Sequence, residues 1–125
     1  MRRYSDEHLW VDAEGGVATV GITAYAAAEL GDITFVELPE AGAVLVAGES
    51  FCVIESAKAA TDVIAPCGGV VAEVNARLDD DPGLVNTSPD RDGWICRLRE
   101  VKPAEIAALL DEAGYEALLA KNEEG

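Results

Sequence analysis

The sequence predicts a mainly β fold: a small antiparallel sandwich or barrel with short helices, two of them at the C-terminus. Three observations carry this. Short β-branched and aromatic runs recur along most of the chain, glycine and proline turns separate them, and a helical apolar spacing appears only near the end. A length of 125 residues suits one domain, 1–125, with a core of about 4–100 and a helical segment of about 103–121.

The elements follow in order. VATVGI (17–22) comes after the paired glycines of EGG and alternates large and small residues, as a strand does. Thr23 is placed to cap a short helix over AYAAAEL (24–30), and Gly31 supplies a left-handed stop. ITFVELP (33–39) is a further strand that Pro39 ends. AVLV and FCVIES lie within 42–56, and TDVIAP follows Lys58. After the CGG turn come VVAEVN, a polar, proline-containing loop from 79 to 93, and GWICRLRE. Pro103 opens a helix in which Ile106, Leu109, Leu110 and Ala113 recur at helical spacing. Tyr115, Leu118 and Leu119 extend the stripe past Gly114, which bends this helix or weakens it by about 1 kcal/mol. NEEG reads as a frayed, charged tail.

Charge removes two classes of partner. With 24 acidic and 9 basic residues, the net charge of −15 repels phosphate backbones and anionic lipid, and no apolar run has the length of a membrane helix. The same surface suits docking onto basic protein patches. Cys52, Cys67 and Cys96 are too widely spaced for a CxxC metal site and odd in number for a disulfide framework; they read as small buried hydrophobes in a reducing compartment. His8 is the only histidine, so neither a multi-histidine metal site nor a Ser/His/Asp relay has the material it needs. MRRYSDEHLW contains no apolar signal core, and a start this close to the domain points to a bacterial cytoplasm rather than a mature mitochondrial matrix form.

One stretch stands apart. In IESAKAATDVIAP, two β-like runs are joined by AKAA, which makes Lys58 the tip of a hairpin with only alanines beside it. Tight turns usually recruit Gly, Asn or Asp; alanine fits a type I turn and leaves the lysine sterically open. Three roles compete. A solvated turn lysine is the bland one. A Schiff-base nucleophile needs a desolvated ammonium or a neighbouring cation, whereas here the nearest charges are Glu55 and Asp62 and the tip is wet. An attachment point, in contrast, gains from exposure, small neighbours and flanking acids that a modifying enzyme can read.

ESAKAATDVIAP resembles the lipoyl-lysine signature of the glycine cleavage system H protein family. Collinear blocks resemble it too: YSDEHLW, VGITAYAAAELGDITFVELPEAG, EVNARLDDDPGLVN, SPDRDGWICRLR and LLDEAGYEALL. Biotin carriers usually place methionines around the lysine, and the lipoyl domains of 2-oxo acid dehydrogenases usually have Asp before it; Ala57 and Ala59 fit neither. The resemblance implies a flattened antiparallel sandwich of two sheets, the barrel-sandwich hybrid of lipoyl and biotinyl carriers. It also implies lipoate joined to Lys58 as N6-lipoyllysine, with Glu55 and Asp62 serving hairpin recognition or arm docking. Its partners would be glycine decarboxylase (P protein), the folate-dependent aminomethyltransferase (T protein), dihydrolipoyl dehydrogenase (L protein) and lipoate-attaching enzymes. The chain would be a monomeric carrier with no catalytic residue of its own.

In the family, residues of an HxW stretch and residues near the lysine hold the loaded arm. Where HEW is common, this chain has His8, Leu9 and Trp10, with Glu7 and Asp6 as the nearest acids; Tyr25 stands where His is frequent. Trp10 is either a groove residue or, like Trp94 and Tyr115, a packing aromatic. Two other functions fit the same residues: a relay supplying lipoate to 2-oxo acid dehydrogenases, and a β-sandwich interaction domain whose lysine stays unmodified.

Overall fold

A computed structural model describes residues 2–124. Among the described residues nine strands form two antiparallel sheets. The larger contains β1 (Arg2–Tyr4), β2 (Leu9–Glu14), β3 (Val17–Ile22), β5 (Val44–Leu45), β8 (Gly69–Val74) and β9 (Cys96–Arg99), in the order β1-β2-β3-β9-β8-β5. The smaller contains β4 (Ile33–Glu37), β6 (Ser50–Ser56) and β7 (Ala60–Ile64), in the order β4-β6-β7. The sheets are open, so β7 keeps one free edge.

Period-two alternation builds the core between them. Leu9, Val11, Val20, Val71 and Leu98 from the large sheet join Val36, Ile54 and Val63 from the small one in a single buried cluster. Each such side chain contributes roughly 1.5–3 kcal/mol by leaving water. Residues between them along each strand face outward, and this separates Leu9 from Trp10. Trp10 is only 2% exposed, yet it packs on the other face of β2, where the Arg2 guanidinium lies 4.1 Å from its ring and the indole N–H donates to Pro89 O at 2.9 Å. Its cross-strand partner is Gly21, and a Cβ built there would meet the indole at 2.7 Å. Only glycine leaves room for the ring.

Helix α1 (Ala24–Leu30) agrees with the sequence prediction at both ends: Thr23 Oγ1 accepts from Ala26 N, and Gly31 stops it at φ 77°. Elsewhere the prediction needs correction. β1 and β2 are strands that the sequence does not signal, because Arg2, Arg3 and the charged turn that follows hide them. The loop expected at 79–93 contains the second half of α2 (Arg77–Asp80) and all of α3 (Leu84–Thr87), helices that sink Leu78 and Val85 fully into the core. At the C-terminus α4 (Pro103–Ala107) and α5 (Glu112–Glu124) are separate, but the break precedes Gly114. Leu110 instead pairs as an isolated bridge with Tyr4, and the Asp111 carboxylate accepts from Gly114 N at 2.8 Å, starting α5 anew. α5 extends through most of the expected NEEG tail; Gly125 lies outside the described residues.

Candidate lipoyl-lysine site

Lys58 sits where its hairpin predicts, exposed at the β6–β7 turn, although Ala60 already belongs to β7 and the turn is therefore three residues, Ala57, Lys58 and Ala59. No glycine helps it. Ser56 closes the turn: its N–H donates to Ala59 O at 2.9 Å, while its hydroxyl accepts from the N–H groups of Lys58 and Ala59 at 3.3 Å each. This is the local hydroxyl-to-backbone pattern that serine favours in turns.

The tip is docked as well as closed. Ala57 N donates to Asp32 O at 3.0 Å, in the segment joining α1 to β4. That segment is braced from behind by Asn86, whose Oδ1 accepts from Ile33 N at 2.9 Å and whose Nδ2 donates to Gly31 O at 2.8 Å. The Lys58 stem lies over Gly31, where a built Cβ would be 3.6 Å from Cε and 3.9 Å from Nζ. Among the described residues the ammonium makes no ion pair. A fixed backbone base thus carries a free amine.

Beside it runs a groove with about 170 Å³ of free volume. One wall is the open edge of β7, from Thr61 to Ile64; the other is α1, with Ala26, Glu29 and Leu30; Leu9, Ile22 and Ile54 line the space between, and Glu7, His8 and Tyr25 also border it. The lining is mostly apolar, with carboxylates from Glu7, Glu29 and Asp62. The structure therefore brings Lys58, Asp62, Glu7, His8, Leu9 and Tyr25 to one side of the molecule. Trp10 does not line the groove, for the pleat turns it away. Glu55 is not there either: it is exposed on the outer face of the small sheet, opposite Phe35. Sequence reasoning missed Ser56 and Asn86. The first was legible as a turn-forming hydroxyl, whereas the second acts across a gap of more than 50 residues and left no local signal.

The three cysteines are buried and unpaired. Burial pushes the thiols of Cys52 and Cys96 up to about 12 and that of Cys67 up to about 11.

Comparison with known proteins now decides the family. A sequence model described as glycine cleavage H-protein matches residues 2–122. The chain belongs to the glycine cleavage H-protein family. A glycine cleavage system H protein from Caulobacter vibrioides is 52% identical over 117 residues, covering 94% of this chain and 97% of the relative. One from Opitutus terrae is 52% identical over 118 residues, covering 94% and 93%. The crystal structure of an H protein from Mycobacterium marinum superposes with a TM-score of 0.85 at 38% identity, covering 95% of this chain and 96% of that one. The two open antiparallel sheets with short helices are thus an H-protein fold, as the sequence implied.

Proposed function

We propose that this chain is the lipoylated shuttle of a glycine cleavage system, with Lys58 as the attachment point. The observation that carries this is the docked hairpin: an unpaired primary amine on a turn held by Ser56 and Asp32, next to an apolar groove. Its residues suit a lipoyl group. Small neighbours at Ala57 and Ala59 open the amine to an attaching enzyme, and the groove has the apolar lining that an acyl chain needs. When bound, lipoate supplies a dithiolane that takes up an aminomethyl group and two electrons.

The residues of this chain then bind, orient and exclude water. Leu9, Ile22 and Ile54 give the arm a dry floor. Glu7 and Asp62 line the groove with carboxylates that would pair an ammonium carried by the arm, and Glu7 would take the part of the acid that Leu9 replaces. The tether raises the local concentration of the reactive group around a docked partner, which allows fast turnover with weak binding. P, T and L proteins are the partners, lipoate-attaching enzymes load the carrier, and the acidic surface docks onto basic patches. A monomer in a bacterial cytoplasm fits this shuttling. Among the described residues no helix is long and apolar enough to cross a membrane.

Expression with lipoate and an active ligase, followed by intact mass and peptide mapping, tests the attachment. The adduct is expected on Lys58, and its absence would count against a carrier of any kind. Exchange of bicarbonate into glycine with P protein then tests the pathway. A lipoylated chain that supports no exchange is a lipoate relay instead.

A further inference from the structure

The arm groove runs between the β7 edge and α1, and the turn that precedes β2 borders it beside α1 through Glu7 and His8. Residues 5–8 form a tight turn in which His8 takes a left-handed backbone at φ 67°, unusual for a side-chain-bearing residue and costing about 1 kcal/mol. Something must hold it there. His8 N donates to Ser5 O at 3.1 Å, Leu9 N donates to Ser5 Oγ at 3.1 Å, and His8 O accepts from Thr23 N at 3.0 Å. The last contact joins the turn to the α1 wall of the groove through the backbone, because Thr23 is the N-cap of α1.

A second junction comes from the C-terminal helix. The Tyr115 hydroxyl on α5 lies 2.9 Å from His8 Nδ1 and 2.7 Å from Thr23 Oγ1, so one phenol bridges the turn and the α1 cap. Tyr115 is 6% exposed, and its ring stacks on Tyr4 at 4.7 Å with the planes 7° apart. Burial raises the phenol above its ordinary 10.0, which keeps the O–H intact as both donor and acceptor. The His8 ring is in turn seated against Tyr25, 4.7 Å away, and both border the groove. α5 itself contributes no residue to the groove lining.

We propose that α5 is a clasp and that Tyr115 is a positioning residue: its hydroxyl ties His8 to the Thr23 cap and so fixes how α1, one wall of the arm groove, sits against the turn that borders it. The proposal rests on the carrier reading for its purpose, but not for its first test. Tyr115→Phe keeps the stacked ring and removes only the bridge. Hydrogen exchange on the unmodified chain is expected to quicken about three- to tenfold at the Thr23 and Ala26 amides, the range that loss of one such hydrogen bond gives, while the Ser56 amide of the lysine hairpin stays unchanged. Leu119→Ala, which weakens α5 packing but keeps the hydroxyl, should leave Thr23 and Ala26 within about twofold of wild type. Unchanged exchange in Tyr115→Phe, or an equal rise in both variants, would overturn the clasp. In the lipoylated protein, spontaneous ammonia release from the aminomethyl-loaded carrier should rise by a similar about three- to tenfold in Tyr115→Phe only; a carrier that is loaded normally and releases at the wild-type rate would refute the link to the arm. Failure of Lys58 to accept lipoate sinks the carrier reading and leaves the exchange result standing.

Discussion

Two hairpins in this fold solve the same problem in opposite ways. The β2–β3 hairpin turns on Gly15 and Gly16, both left-handed at φ 60° and 82°, and a side chain built at either would meet nothing within 4 Å. It is a local solution, in which glycine supplies backbone angles that other residues avoid and the tip hangs in solvent. The β6–β7 hairpin has no glycine. It turns on Ala57, Lys58 and Ala59, takes its closure from the Ser56 hydroxyl and its placement from Asp32 O, and so depends on a segment far away in sequence. The difference matches what the proposed carrier role asks of this hairpin: freedom in the lysine side chain, and a firm backbone base of one geometry for an attaching enzyme to read.

The strongest way to break this comparison is Lys58→Arg. It keeps the charge but cannot form the amide, so the lipoyl adduct should vanish from the intact mass while the thermal midpoint moves by less than about 1 °C, as for other exposed substitutions. The converse, Gly15→Lys in that background, should gain no adduct. A modified Gly15→Lys would show that any exposed hairpin lysine suffices.

Alkaline pH gives the next largest effect and should treat both hairpins alike. Cys52 lies on β6 and Cys96 pairs with Val20 on β3, and burial raises their thiols from 9.0 to about 12. A thiol with a raised folded pKa adds stability that is fully present below its unfolded value and is lost as pH climbs toward the folded one. The thermal midpoint should therefore fall steadily from about pH 9 upward, as Cys67, Tyr4 and Tyr115 add to the same slope. A flat profile to pH 11 would contradict the burial. At neutral pH the native thiols should resist iodoacetamide and react only after unfolding.

Gly21→Ala sharpens the contrast within the glycine hairpin. The new methyl would meet the Trp10 ring at 2.7 Å, an overpacking worth about 1–3 kcal/mol, and calorimetry should show a midpoint roughly 3–10 °C lower. Gly16→Ala meets no atom and should cost only the left-handed strain, about 1 kcal/mol. Ser56→Ala should cost less than either glycine change, roughly 0.5–1 kcal/mol because the turn is exposed. Its signature is elsewhere: the initial rate of lipoylation should drop several-fold. A normal rate would show that the serine closure does not matter to the enzyme.

Much of this architecture was legible beforehand. VATVGI and AYAAAEL between Thr23 and Gly31 were read to the residue, because strand alternation, capping and a glycine stop are local signals. The lysine hairpin was legible for the same reason, although one residue too long. In the sequence Gly114 reads as a bend or a weak point in the C-terminal apolar stripe, whereas the helix start is marked by Asp111, whose carboxylate caps Gly114 N. Leu9 and Trp10 illustrate the limit. Adjacent in sequence, they face opposite sides of one strand, and only the pairing of β2 with β3 decides which of them meets the arm groove.

By itself, the sequence determined the β-rich class, the exposed lysine between small residues, the acidic surface and the family, since each depends on residue type or on spacing within a few positions. Tertiary structure decided that the hairpin rests on Asp32 with Asn86 behind it, that Glu7 stands in the groove where Leu9 left no acid, and that Tyr115 reaches back to His8 across 107 residues. Such contacts carry no local periodicity. They exist because two sheets closed on one core and brought distant backbone and side-chain groups within hydrogen-bonding reach.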